Sequence, residues 1–487
     1  MSISKWVAAF VFAATATAAA QKSASTLDRR IVPTAGKSPE LKVPGWTKTT
    51  IADGAQLVVS EKHNLPLVSF RINLIGGSDQ FEPADKTGLA SLVGEMLTEG
   101  TTHRTGDQIA NGFQLLGTDL SVSIAGETSV LQFQVTRDKL VPAIDLLSDV
   151  LLNPTFPAAA LERLRAEAVV ELVQNRDRTD AIASMVYPKL LYTTKHPYGR
   201  MTTEASLHAI TRADVVAFHK ALFQPGRAII TVVGDVKPDE VKAAVEKSFA
   251  GWARGGSIPT FDYPAVPSAK PRAIYLVDKP EAAQSTFMLG SIGPTRATPD
   301  YYALRVMNEM LGVLFQSRLN RNIREQKGYS YGVFSNFAFG RGPGPFMATG
   351  DIVTAKSDSA LIEFMQELSD IRGPRPPTDD ELAQAKAGLV QSLPASFASV
   401  SGVNRRIASI YTQGLPEDFY QQFAREVNAV TRDDVVRVAR KYIDPNNLTI
   451  LIVGDRAKIE GPLAATKIAP ITVLDLNGDP VGTKITP

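Results

Sequence analysis

Five histidines, His63, His103, His196, His208 and His219, are the only imidazoles in this chain, and it has no cysteine. A helix that binds zinc needs two such ligands three or four residues apart, because only that spacing puts both on one face. No two of the five have it, so a sequence-local metal pair is absent. His196, inside HPYGR, reads as a turn or packing histidine. The stretch Gly340-Arg341-Gly342-Pro343-Gly344-Pro345 is rich in glycine, yet no Gly-Lys-Ser/Thr follows, so it reads as a hairpin turn and not a phosphate loop. Asp379 and Asp380, with Glu381 behind them, have the character of helix N-terminal charges, not of a glycosidase pair.

The elements that would carry any site are laid down twice. Thr211 to Asp235, TRADVVAFHKALFQPGRAIITVVGD, recurs without a gap as Thr431 to Asp455, TRDDVVRVARKYIDPNNLTILIVGD. Each copy opens with a Thr N-cap before an apolar-periodic helix, breaks at a proline (Pro225, Pro445), and ends in a strand stopped by Gly-Asp. Glu95-Met96-Leu97 recurs as Glu309-Met310-Leu311 at nearly the same offset, and Leu161 to Leu172 resembles Leu382 to Leu393. A repeat this long is a whole domain, and it predicts a pseudo-symmetric, two-lobed body.

Strand-like runs at Leu57-Val59, Leu67-Leu74, Leu116-Ser123 and Val130-Val135 alternate with helical patterns at Gly88-Leu97, Leu140-Leu151 and Pro157-Gln174, which is α+β with antiparallel character. The predicted layout is a signal peptide at 1–20, an extended polar arm at 21–44, a first domain at 45–250, a Gly/Pro-rich linker at 251–272, a second domain at 273–456 and a tail at 457–487. The signal rests on Lys5, an apolar run from Trp6 to Ala14 and small residues Ala18 and Ala20 before the cleavage point. That run is too short to cross a layer roughly 30 Å thick, so stable membrane insertion is not expected. The address it suggests is a bacterial periplasm, with secretion as the alternative. With 52 basic and 50 acidic residues and no basic block interleaved with aromatics, nucleic acid is excluded as a partner.

The run FEPADKTGLASLVGEMLTEGT (Phe81 to Thr101), the HPYGR at His196 to Arg200, the Gly-Asp strand endings and the duplicated halves resemble the pitrilysin/insulinase/mitochondrial processing peptidase family of zinc metallopeptidases, over nearly the whole mature chain. The resemblance implies the LuxS/mitochondrial processing peptidase-like metallohydrolase fold: two homologous lobes of antiparallel-rich sheets flanked by helices, arranged as a clamshell. In active members the helix after Thr-Gly-Leu-Ala carries His-x-x-Glu-His, whose histidines bind zinc and whose glutamate activates water. On this chain Ser91 and Glu95 occupy the histidine positions and Gly94 that of the general base. At the place of the third, glutamate ligand stands Glu171, read either as an exposed or salt-bridged helix carboxylate or as a relic of that ligand. Serine is a poor zinc ligand and glycine accepts no proton, so no metal is expected in this chain.

RNIREQKGYSYGVFSNF (Arg321 to Phe337) resembles the carboxyl-half motif of the same family, in which an arginine and a tyrosine seven residues later reach substrate at the zinc. Here they are Arg324 and Tyr331, with Tyr329 as the competing tyrosine. Arginine offers a permanent fork of donors for a peptide carbonyl, and a neutral tyrosine can donate to an oxyanion. The family includes bacterial two-subunit enzymes that divide these parts, one subunit bearing the zinc and the other the Arg/Tyr pair. The resemblance therefore implies a non-catalytic subunit, inactive alone, that acts on peptides beside a zinc-bearing homologous partner in a heterodimer or larger assembly. An inactive peptide-binding or assembly scaffold is the alternative. A third reading is an autonomous hydrolase with an unrecognised metal site.

Overall fold

The computed structural model describes residues 41–482, so the signal peptide and most of the arm expected from the sequence lie outside the described residues. The first half builds a sheet from β1 (Thr47–Thr50), β2 (Gln56–Glu61), β3 (Leu67–Ile75), β4 (Ser121–Ala125), β5 (Thr128–Thr136) and β6 (Ala228–Gly234), in the order β1-β2-β6-β3-β5-β4. The second half repeats it with β7 (Ala273–Asp278), β8 (Gln284–Ile292), β9 (Ser330–Phe337), β10 (Pro345–Val353), β11 (Thr449–Gly454) and β12 (Ile471–Leu474), in the order β12-β7-β11-β8-β10-β9. Most joins are antiparallel. The parallel ones are β2 with β6, β7 with β11, and β7 with β12. In both halves the parallel closing strand, β6 or β11, returns after a long helical excursion, as parallel pairing requires.

The symmetry breaks at one edge. In the first sheet the edge strand β1 comes first in the sequence of its half, whereas in the second the equivalent edge is β12, from the C-terminal tail. The tail thus supplies a helix (Arg456–Ala465) and then a strand. Two other segments are more firmly held than their composition predicts. Leu41 and Val43, at the end of the expected arm, pack with Trp46 against the second-half core, and the Trp46 indole donates to the Tyr411 hydroxyl at 2.7 Å. Trp252, at the start of the Gly/Pro-rich linker, is buried in the first-half core and donates from its indole to Phe223 O.

Eight helices position the candidate sites: α1 (Leu89–Met96), α2 (Ala158–Asn175), α3 (Thr179–Tyr192), α4 (Arg212–Leu222), α5 (Tyr301–Asn308), α6 (Asp379–Ser392), α7 (Val400–Thr412) and α8 (Arg432–Tyr442). The duplicated α4 and α8 start with the same reciprocal cap. The hydroxyls of Thr211 and Thr431 accept from the N–H of Asp214 and Asp434, whose carboxylates accept from the threonine N–H groups in return. That arrangement satisfies two donors the helix would otherwise leave bare. Asp379 and Asp380 open α6, next to its Thr378 cap.

The equivalent helices α3 and α7 are exchanged between the halves. α3 belongs to the first half but packs on β8 and β11, while α7 belongs to the second and packs on β3 and β6. Strand β6, AIITVVG, is buried at every position because it is covered on both faces. Val400, Val403 and Ile407 line the inner face of α7, and each fully buried aliphatic side chain contributes about 1.5–3 kcal/mol. Among them sits Asn404, 1% exposed. Its amide donates to Ser69 O at 2.8 Å and to Thr231 O at 2.9 Å, and its carbonyl accepts from the Thr231 hydroxyl at 2.5 Å. A buried polar residue with this many partners fixes which sheet α7 can cover.

Candidate functional site

Helix α1 is held by the residues that precede it. The Glu82 carboxylate accepts from the N–H groups of Gly88 and Ala90, and Gly88 adopts a left-handed conformation (φ 99°) that turns the chain into the helix. Leu89, Leu92, Val93 and Met96 then face the core, which leaves Ser91 and Glu95, one turn apart, on the outer face. The Ser91 hydroxyl donates to Glu95 Oε1 at 3.1 Å, so the two side chains at the histidine positions satisfy one another. Gly94 points instead toward β4, where a Cβ would meet Val122 and Ile124 at ordinary contact distances of 3.5 and 3.6 Å.

Ser91, Glu95 and Glu171 line one recess of about 360 Å³, walled by α1, α2 and α3 and by the segment from Tyr198 to Thr202. The fold therefore brings together three of the residues singled out from sequence and turns the fourth, Gly94, aside. Partial burial pushes the Glu95 carboxyl above its ordinary range, the bond from Ser91 opposes this, and Glu171 and Glu167 nearby push it further up. Sequence reasoning gave no role to Arg200 of HPYGR, which stands in the same recess with its Nη1 donating to Glu82 O. Its fixed charge would repel a cation entering there. Among the described residues no group of three His, Cys, Asp or Glu side chains is placed to hold a metal ion. Ser91, Gly94 and Glu95 do not fit zinc: the hydroxyl is already committed, the base is missing, and one carboxylate faces another.

The Arg/Tyr motif lies on a different kind of element. After α5 the chain continues as a π-helical turn, Glu309–Val313, and then forms a second, Asn320–Gln326, with i→i−5 bonds from Leu314 N to Glu309 O and from Lys327 N to Asn322 O. Such turns are uncommon and concentrate at functional sites. The second one ends in a glycine cap of the αL type. Gly328 takes φ 67°, its N–H donates to Arg324 O, and the N–H of Tyr329 donates to Ile323 O. This cap fixes the step from the helix bearing Arg324 to the strand bearing Tyr331.

The two tyrosines part because Tyr329 precedes β9 whereas Tyr331 lies within it. Tyr329 packs against the second-half core, with Lys356 above its ring. Tyr331, two residues on, is 90% exposed on β9, the edge strand of the second sheet, and its hydroxyl has no protein partner among the described residues. The Arg324 guanidinium lies 4.2 Å from the centroid of the Phe315 ring, itself 61% exposed. Among the described residues neither Arg324 nor Tyr331 is tied to a carboxylate, so their donors are open to a ligand. His196 is buried in a turn, its Nδ1 accepting from Tyr198 N, as a packing histidine does. Gly340 to Gly344 link β9 to β10 as a hairpin.

Residues 57–201 match the family model described as insulinase, peptidase family M16, and residues 209–389 match that described as the peptidase M16 inactive domain. A zinc protease of Mycobacterium leprae, itself named as uncharacterised, is 29% identical over 60% of this chain and 65% of its own length. The non-peptidase homologue YmxG of Helicobacter pylori is 23% identical over 82% of this chain and 92% of its own. The crystal structure of the peptidase M16 inactive domain from Pseudomonas fluorescens superposes with a TM-score of 0.77 at 28% identity, covering 84% of this chain and 98% of that one.

Proposed function

From the premise that the chain belongs to the M16, insulinase-like peptidase family and is an inactive member of it, we propose that it is the non-catalytic subunit of a hetero-oligomeric zinc metallopeptidase. It lends Arg324 and Tyr331 to the zinc site of a homologous partner that hydrolyses peptides. The observation that carries this reading is the pairing of opposite states at the two half-sites. Ser91 and Glu95 are closed on each other, whereas Tyr331 is 90% exposed with a free hydroxyl. A large aromatic side chain on an edge strand adds little to its own fold when it is so exposed. Its polar tip is useful only to something outside the chain.

In this role Arg324 forks onto a carbonyl of the bound peptide and holds it in register. The neutral Tyr331 phenol donates to the oxygen on which negative charge develops, and one such donor is worth about 10²–10³ in turnover. Zinc and its activated water belong to the partner. The unpaired edges of β4 and β9 are suited to adding an extended peptide as a further strand. Export to the periplasm, or secretion, belongs to the same proposal and is checked by fractionating the native host.

The test is purification from that host. Recovery of a homologue bearing His-x-x-Glu-His at equal stoichiometry, with peptide cleavage only when both chains are present, supports the proposal. Cleavage by the isolated chain, lost on chelation, overturns it. The second reading, an inactive peptide-binding or assembly scaffold, is favoured by the match to a protein named a non-peptidase homologue. It predicts that no homologue bearing His-x-x-Glu-His accompanies the chain, and that Arg324 and Tyr331 have no effect on peptide turnover.

A further inference from the structure

Two contiguous cavities of about 300 and 290 Å³ lie where the first sheet, α7 and the β9–β10 hairpin meet, sharing Arg296, Phe339, Ser409 and Gln413 in their walls. Six arginines line the pair: Arg71, Arg296, Arg305, Arg341, Arg405 and Arg406. None forms an ion pair with a carboxylate among the described residues. Arg71 has only neutral partners, donating to the side chains of Asn73 and Gln132 at 2.6 Å each. The Arg296 guanidinium is stacked 3.6 Å from the Tyr301 ring centroid and near Phe419, with a buried Nη2 that has no partner. Arg341 reaches a backbone carbonyl, Thr412 O.

The single carboxylate in the lining, Glu127, is already committed. Its Oε1 accepts from the hydroxyls of Tyr198 and Tyr263 and from Gly342 N–H, and its Oε2 accepts from Arg341 N–H. Hydrogen bonds to neutral groups direct a guanidinium but leave its charge uncompensated, and gathering like charges beside a cavity is unfavourable unless an anion answers them. Burial lowers the pKa of Arg71 and of Arg296, and Arg405 lowers that of Arg71 further, which marks the same lack of counter-charge.

We propose that these joined cavities are a binding site for the carboxylates of an acidic peptide segment, with the arginine forks as its recognition elements. Planar guanidinium groups held on aromatic rings match carboxylates two donors at a time. Two chambers lined along their length suit charges spaced on a chain better than one compact ion. The inference rests on the peptide-handling part of the proposed function and extends it to substrate preference.

The experiment uses the isolated full chain and two fluorescein-labelled nine-residue peptides that differ only in two Glu residues replaced by Gln. Binding is read by anisotropy, with inorganic phosphate as competitor. The Glu peptide should bind at least 10-fold more tightly, and the preference should shrink toward one in Arg405→Gln/Arg406→Gln, a variant chosen because Arg405 is exposed and unpaired. Circular dichroism of the variant confirms the fold. Equal binding of both peptides, binding of neither, or a preference unchanged in the variant overturns the arginine site. So does phosphate that binds more tightly than the Glu peptide. None of these results touches the pairing with a zinc-bearing partner, which is measured separately on the complex.

Discussion

Replacing Asn404 by alanine puts the exchange of helices between the halves to the test. Asn404 belongs to the second half by sequence, yet its strongest bonds go to Ser69 and Thr231 of the first. Asn404→Ala removes three bonds of 2.5–2.9 Å, each worth about 1 kcal/mol net, and strands the Thr231 hydroxyl without its acceptor. The loss should be about 3 kcal/mol, a large fraction of a typical stability. Urea unfolding measures it as a fall in midpoint, and amide exchange locates it. Faster exchange is expected in β3 and β6, more than 170 residues away in sequence from the substituted position. A loss below about 0.5 kcal/mol, or faster exchange confined to the second half, would refute the idea that α7 clamps the first sheet.

Two further expectations concern pH. Burial, reinforced by Glu127, pushes the Asp79 carboxyl up to about 6. A carboxyl raised above its unfolded value of about 3.9 costs stability as pH rises through that window, so Asp79→Asn should stabilise by about 2 kcal/mol at pH 8 and hardly at all at pH 4; equal effects at both pH values would exclude this. Asp300 behaves oppositely. Burial alone would raise it, but bonds from Lys441, Arg437 and Tyr442 outweigh that and hold it at about 2. Its contribution, about 1 kcal/mol once solvent screening of the exposed Lys441 and Arg437 is allowed for, is complete above about pH 4 and is lost as pH falls through about 2. Asp300→Asn should therefore flatten the acid limb of the stability curve, and an acid limb as steep as that of the unaltered chain would count against it.

The repeat of Thr211–Asp235 in Thr431–Asp455 made the two-lobed plan legible, because capping chemistry and strand burial are local properties written in adjacent residues. The placement of Ser91, Gly94 and Glu95 was legible for the same reason: they sit on one helix. What escaped was long-range. Nothing in the sequence of α3 or α7 says which sheet each will cover, since both offer ordinary apolar faces; the partners of Asn404 appear only once the fold is formed. The edge strand β12 depends on pairing with β7 and carries too little pattern alone. The arginine cavities gather residues from β3, α5, the β9–β10 hairpin and α7, so no window of sequence contains them. Gly328 marks the cap that separates Arg324 from Tyr331, but the i→i−5 helix before it has no sequence signature distinct from an ordinary one.

The central claim is that this chain contributes hydrogen-bond donors and not a metal to peptide hydrolysis. Its most direct test is turnover of the complex reconstituted from this chain and its zinc-bearing homologue, with Tyr331→Phe in this chain only. Because Tyr331 is 90% exposed, the substitution leaves the fold intact, and turnover should fall by about 10²-fold with zinc content unchanged. Turnover equal to that of the unaltered complex would contradict the claim.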